Sequence, residues 1–225
     1  MLRSKLVVLF ILFVLVFGAG NAFAQINMSY GVGGAFTSAF GGGYEATFPG
    51  LGSEKVEFPQ TTFGLAAFFD FTYIEASVSL MFGALYTDYT SNVPAFPSYK
   101  EDYEIQSMNL SAVLKYPISL FNIISIFPAA GVEYQMVTSM KKGNTSFSDA
   151  GDLNSLWFKF GAGLDFNIIP SMFIRGAFYY GIRMPNKFEN DLKLLADIAA
   201  LFSNGSSSEN FAHGIKAMLA LGIRL

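Results

Sequence analysis

Ten charged residues stand inside stretches where large apolar and small residues alternate: Asp70, Glu75, Lys115, Glu133, Lys159, Asp165, Arg175, Arg183, Lys216 and Arg224. Each falls on a position of the kind otherwise held by Gly, Ala and Ser, and none falls among the Leu, Phe, Ile and Tyr positions. With two faces to choose from, chance would place all ten this way roughly once in a thousand. Acids and bases sharing one face point to ion pairs, because charges removed from water must be paired and hydrogen-bonded. Measured from the nearest short connection, Asp70, Glu75, Lys115, Asp165, Arg175 and Arg224 form a lower tier. Glu133, Lys159, Arg183 and Lys216 form a second tier further along the strands, with Glu133 and Lys159 the best-placed pair.

Little other chemistry is available. His213 is the only histidine and there is no cysteine, which predicts no metal site and no cofactor. No Ser–His–acid arrangement can be drawn around His213, so it reads as an interfacial residue near the outer loops and the chain as a non-enzyme. No helix follows the glycines at Gly31, Gly33 and Gly34 or the run Gly41 to Gly43, so neither is a phosphate loop. They suit close packing in a narrow barrel and a flexible first loop. Net charge is −3 with a pI of about 5.1, which excludes nucleic acid as a partner. Charged residues make up 14% of the chain, against about 25% in a soluble domain.

The elements that must hold these charges share a period of two, the signature of strands with two unlike faces. Eight such stretches run Ile26–Thr37, Thr61–Phe71, Ile74–Thr87, about Tyr103–Tyr116, Ile124–Thr138, Leu156–Ile168, Met172–Met184 and Asn210–Leu225. The fourth breaks phase near Gln106, which suggests a bulge, and Pro128 makes the fifth the least regular. Three connections are short: around Thr72–Tyr73, Pro117 to Ile123, and Ile169 to Ser171. Four are long, polar and mostly acidic: Ser38 to Gln60, Asp88 to Asp102, Ser139 to Asn154, and Pro185 to Glu209. Ahead of the strands, Arg3 and Lys5 precede the apolar run Leu6 to Phe17, and Ala22-Phe23-Ala24 supplies a cleavage site between Ala24 and Gln25. Residues 1–24 are therefore expected to be a secretory signal peptide and residues 25–225 the mature domain.

A soluble barrel with these faces would turn Gly, Ala and Ser to water and crowd Phe and Leu from eight strands into a filled interior. Reversed, the small face and its charges fill a narrow lumen and the large face meets hydrocarbon, where a midplane Arg or Lys would cost about 2–4 kcal/mol. The expected fold is all-β: an eight-stranded antiparallel up-and-down transmembrane β-barrel with short periplasmic turns and long outer loops. The lumen is expected to be plugged by its ion pairs. Inward Met81, Leu85, Trp157, Tyr179 and Met218 could instead line part of a hydrophobic path. The fourth long connection also holds a helical pattern, Asn190 to Phe202, capped by Asn190. Its apolar stripe is Leu192, Leu195, Ile198, Ala199 and Phe202, expected to pack over the barrel rim.

These strands resemble the small eight-stranded outer-membrane barrels typified by OmpA's membrane domain, OmpX and OmpW, over the whole of Gln25 to Leu225. The resemblance implies a Gram-negative-type envelope, the outer membrane as location, its lipid as partner, and a monomer whose outer loops face host or surface ligands. It also implies that the last strand is read by the barrel-assembly machinery, although this one ends in Leu225 where the family's signal usually ends in Phe. A structural, surface-exposed role is the leading expectation. An OmpW-like passive channel for small hydrophobic molecules is the alternative, and a lipid-modifying enzyme is weaker still. Lipid A deacylase barrels place a Ser two residues after an outward His, and the corresponding position here is Ile215.

Overall fold

A computed structural model describes residues 27–50, 52–93, 97–120, 123–203 and 205–225. The expected signal peptide, its Ala24/Gln25 cleavage point and Ile26 lie outside the described residues. In chain order the elements are β1 (Met28–Phe48), β2 (Gly52–Glu57), β3 (Gln60–Phe71), β4 (Ile74–Ser91), β5 (Tyr99–Lys115) and β6 (Ile118–Leu120). There follow β7 (Ile124–Lys142), β8 (Thr145–Ser146), a 3₁₀ turn at Ala150–Leu153, β9 (Ser155–Ile169), β10 (Met172–Arg183), α1 (Lys187–Ser203) and β11 (Ser206–Arg224).

Eight of these strands (β1, β3, β4, β5, β7, β9, β10 and β11) pair antiparallel in chain order. The ring closes where β11 returns to β1, with Ser29 opposite Arg224 and Thr47 opposite Ser206. Closure leaves no strand edge within the ring, the condition a lipid-spanning sheet must meet. Among the described residues no helix is long and apolar enough to cross a membrane. The outward positions are Val32, Phe63, Leu65, Leu80, Phe160, Phe178 and Leu219 and others like them, all exposed. So large a continuous apolar surface would be untenable in water. The protein is an eight-stranded up-and-down transmembrane barrel.

The chain departs from its pattern-based expectation above the lipid band. The connection expected as a flexible loop from Ser38 to Gln60 is mostly wall. Here β1 runs on to Phe48, turns, and returns as β2, which wedges between β1 and β4 at the outer end. The glycine run is part of that wall. Gly41, Gly42 and Gly43 all have positive φ (70°, 76° and 128°). The alternation changes phase across them, with Ala35, Thr37 and Ala39 buried below and Gly42 and Ala46 above. Strands β4, β5, β7 and β11 also outrun their expected ends, so charges assigned to loops, such as Glu45, Asp88, Glu101 and Glu209, sit on strand extensions, and Glu57 sits on β2. Outside hydrocarbon both faces of a strand can be polar, and the period of two fades.

The irregularity expected near Gln106 is present, but its extra residue lies on the neighbouring strand. Gln106 opposes Ser139 and Ser107 opposes Val137, leaving Thr138 as the additional residue on β7. β7 keeps an unbroken register with β9 through Pro128. At the other end the turns are tight. Thr72 takes a φ of 45° in the two-residue link between β3 and β4, and its backbone N–H donates to the Asn27 carbonyl at 3.1 Å.

Candidate functional site

Nine of the ten strand charges are buried in the lumen, and Arg224 is partly buried at its lower mouth. They divide into three levels rather than two.

The lowest level is organised by Arg175, the largest fully buried side chain among the described residues, 1% exposed. Asp165 is its direct cross-strand neighbour and accepts two bonds, from Nε and Nη2, both 2.7 Å. This fork-to-fork geometry is what a guanidinium offers and an ammonium cannot. The same guanidinium reaches across the lumen to Glu75 of β4 at 2.6 Å and Asp70 of β3 at 2.9 Å. Lys115 of β5 closes the cluster on Asp70, which also accepts from Ser29 at 3.3 Å. Arg175 thereby ties four strands together through charge-assisted bonds.

Three phenylalanines wall this cluster: Phe68, Phe127 and Phe173 lie 4.3, 5.0 and 5.2 Å from the Arg175 guanidinium carbon. Each inward ring lies over an inward glycine directly opposite it in the ladder: Phe68 on Gly31, Phe127 on Gly163, Phe173 on Gly222. A Cβ at any of these glycines would come within 2.2–2.5 Å of the ring. The bare backbone is what lets the ring lie flat, and the ring covers backbone that glycine leaves open. Pattern analysis missed this pairing, because Gly and Phe share a face in the sequence but their partnership needs the register.

The middle level centres on Glu133, which binds Lys159 of the adjacent strand at 3.0 Å and Lys216 across the lumen at 2.6 Å. Asn109 donates to its second oxygen at 3.0 Å, and Lys216 also reaches the Ser79 hydroxyl at 3.3 Å. Arg183, expected in this level, is not in it. It pairs with Glu189 of α1, forming a third level at the outer mouth. The pair sits against Gly42, where a Cβ would lie 2.6 Å from Arg183 Nη2 and 3.0 Å from Glu189 Oε1. Burial pushes the Glu189 carboxyl above its ordinary range, against the opposing pull of Arg183. Arg224 also differs from expectation: it donates to the Asn167 amide oxygen at 2.6 Å and stacks over Phe173, beside the lowest cluster rather than within it.

No protein-family model and no curated protein matches the chain. Several solved structures do. Neisserial surface protein A is 13% identical, covers 87% of this chain and 97% of its own, and has a TM-score of 0.43. Ail, the attachment invasion locus protein of Yersinia pestis, is 15% identical over 90% of this chain and 100% of its own, with a TM-score of 0.41. Outer membrane protease OmpT from Escherichia coli is 6% identical, covers 92% and 100%, and scores 0.44. These superpositions are loose, and the fold rests on the closed ring and its two faces.

Between the tiers little space remains. A cavity of about 20 Å³ is bordered by Thr37, Asn109, Lys159, Tyr179 and Lys216, room for about one water. The hydroxyls of Thr37 and Tyr179 and the Asn109 carbonyl are buried there without a protein partner, and one water would serve them. The residues considered for a hydrophobic path are packed: Met81, Tyr179 and Met218 belong to one core cluster with the three phenylalanines. Leu85 belongs to a second, outer cluster with Val56, Phe58 and Ile105. Trp157 donates to Gln135 at 3.1 Å and lies against Gly181 and Gly214.

His213 faces outward, with Nδ1 2.7 Å from the Tyr180 hydroxyl and Phe40 and Tyr180 stacked on its two sides. No carboxylate joins the pair among its contacts. Among the described residues no group of three or more acids, histidines or cysteines could hold a metal.

α1 begins earlier than its pattern suggested. The cap is Asn186, not Asn190: Asn186 Oδ1 accepts from the Glu189 N–H at 2.9 Å, and Glu189 Oε2 accepts from the Asn186 N–H at 3.1 Å. This is a reciprocal capping box, readable in the sequence as Asn186-Lys187-Phe188-Glu189. Its Glu serves twice, as cap and as the partner of Arg183. The buried face keeps only part of the expected stripe: Leu192 packs against the outer cluster and Glu189, Ala196 and Ala200 are buried, while Leu195 and Ile198 point out. The side chains of Ala199 and Phe202 lie outside the described residues.

Proposed function

We propose that this protein is a closed barrel of an outer membrane that carries a folded outer extension on a rigid wall. Its role on this reading is structural or surface interaction rather than transport. The observation that carries it is the Arg175 cluster, in which one cation joins four strands across the lumen and three phenylalanine rings pack around it. The Glu133 and Arg183–Glu189 levels stand above it, and the cavity beside the Glu133 level, about 20 Å³, has room for about one water. Ions would have to displace paired charges whose replacement by water is not geometrically available.

Two measurements test the reading. Purified protein reconstituted in planar lipid bilayers should show no sustained current, and long-lived open states would overturn the closed lumen. Display is tested with single cysteines, since the chain has none of its own. Asn144→Cys, at the β7–β8 turn, should react with a membrane-impermeant maleimide on intact cells. Tyr73→Cys, at the β3–β4 turn, should react only after permeabilisation, and the reverse pattern would invert the orientation.

A further inference from the structure

The outer half of α1 leaves an apolar surface that the barrel does not use. β10 ends opposite β11 at Arg183 and Ala212, but β11 continues on its other side, paired with β1, as far as Ser206. α1 climbs along the edge that β10 vacates. Glu189 holds Arg183 at its lower end, and Asp197 accepts from the Ser207 hydroxyl near its upper end. The Gly205 N–H then donates to the Ala200 carbonyl at 2.8 Å. With its alanine face against β1 and β11, the opposite sector presents Leu194, Leu195, Ile198 and Leu201, which are 58, 63, 43 and 79% exposed.

Lipid is a poor match for this patch. β10 leaves the wall eleven residues above Met172. That is roughly 28 Å of height at about 2.5 Å per tilted residue, already the full depth of an apolar band of about 25 Å. α1 rises from there. In its first turn, nearest the membrane, Lys187, Asn190 and Asp191 are exposed beside one half-exposed ring, Phe188, which rests against Phe58, and the leucines follow further out. A helix seated in the interface would place its apolar residues nearest the acyl chains.

A soluble partner also fits poorly. The four side chains offer on the order of 400 Å², about half the ~800 Å² per partner of a stable interface. A partner in the same membrane is already confined in height and tilt, so a smaller contact suffices. A second copy meets those conditions with no further component: a twofold axis along the membrane normal brings the two patches together at equal height. The wall below permits the approach. Leu219 stands between the outward glycines Gly34 and Gly176 in the ladder, and neither glycine has a protruding side chain packed over it. We infer that the distal half of α1 is the contact face between two copies of this chain in the membrane. This goes beyond the closed-barrel reading and does not depend on it.

The test uses single-cysteine variants of the full protein in lipid vesicles at low protein-to-lipid ratio. Under mild oxidation Leu201→Cys should yield a band of twice the mass, at least tenfold more than Asn144→Cys at the β7–β8 turn. Adding Leu194→Lys and Ile198→Lys should reduce that band to the Asn144→Cys level, while the folded barrel's heat-dependent shift on a detergent gel persists. Equal linking by the two cysteines, or linking untouched by the lysines, overturns the inference. So does a single copy per particle when the unmodified protein is weighed in lipid nanodiscs large enough for two. Quenching of a fluorophore on Leu201→Cys by brominated acyl chains would assign the patch to lipid and also overturn it.

Discussion

Replacing Arg175 by Met is the sharpest probe of what holds the lumen cluster together. Methionine keeps an unbranched apolar stem among Phe68, Phe127 and Phe173, so the change removes charge and hydrogen bonds more than volume. It leaves Asp70, Glu75 and Asp165 buried, with Lys115 on Asp70 the one cation still in ion-pair contact with them among the described residues. Removing one member of a buried ion network costs about 3–5 kcal/mol, most of it the penalty of the charges left behind. The Coulomb scale agrees, at about 4 kcal/mol for a pair 4 Å apart at an effective dielectric of 20. Unfolding by urea or guanidinium in lipid vesicles, followed by the gel shift, measures the loss. If stranded carboxylates are its cause, Arg175→Met combined with Asp165→Asn and Glu75→Gln should recover more than half, because only the Asp70–Lys115 pair then remains charged. A loss below about 1 kcal/mol for the single variant would refute the reasoning, as would a triple variant no more stable than the single.

Three further outcomes follow from the same structure. Gly163→Ala places a Cβ 2.2 Å from the Phe127 ring and should destabilise by about 1–3 kcal/mol, the cost of overpacking, read as a lower unfolding midpoint. Asn186→Ala removes the cap of α1 and should cost that helix about 1 kcal/mol, seen as faster protease cleavage within 187–203 with the heat shift unchanged. Tyr103, outside the lipid band, accepts the influence of Glu101 through a 2.5 Å bond that pushes its phenol up to about 12. The neutral phenol is favoured in the folded state, so its contribution is complete below the ordinary tyrosine value and lost as pH rises through about 12. Glu101→Gln should shift one of the protein's phenolate absorbance transitions to lower pH.

How much was legible in the sequence follows from where each constraint comes from. Inside the lipid band, hydrocarbon on one side and a narrow lumen on the other impose the period of two, and this places all ten strand charges on one face. The Glu133–Lys159 contact was within reach because the two residues occupy corresponding depths on adjacent strands. Arg183 was misplaced because its partner belongs to a loop helix, six residues on in the chain, and depth counted along strands does not include loops. The signal existed, since Asn186 and Glu189 have capping-box spacing. The apolar run from Leu192, which reads as a buried stripe, drew the helix start to Asn190. Here Ala196 and Ala200 are buried beside Leu192, while Leu194, Leu195, Ile198 and Leu201 face out, a departure from the usual amphipathic logic.

The charge arithmetic of the lumen bears on how so many buried ions are tolerated and, on the proposed closed-barrel reading, on why neither sign of ion would pass. At the lowest level three carboxylates, Asp70, Glu75 and Asp165, face two cations, Lys115 and Arg175, leaving one negative charge. In the middle one carboxylate, Glu133, faces two cations, Lys159 and Lys216, leaving one positive charge. At the top Arg183 and Glu189 cancel. The three levels together are neutral, with Arg224 adding one positive charge at the lower mouth, and this near balance keeps the burial cost from growing with the number of charges. The successive levels still oppose a permeating ion in turn. A cation entering from outside meets the excess positive charge of the Glu133 level, and an anion that passes there meets the excess negative charge around Arg175. Selective pores line their constriction with one sign of charge. Alternation of sign in a narrow lumen does the opposite, so on the proposed closed-barrel reading electrostatics acts together with packing.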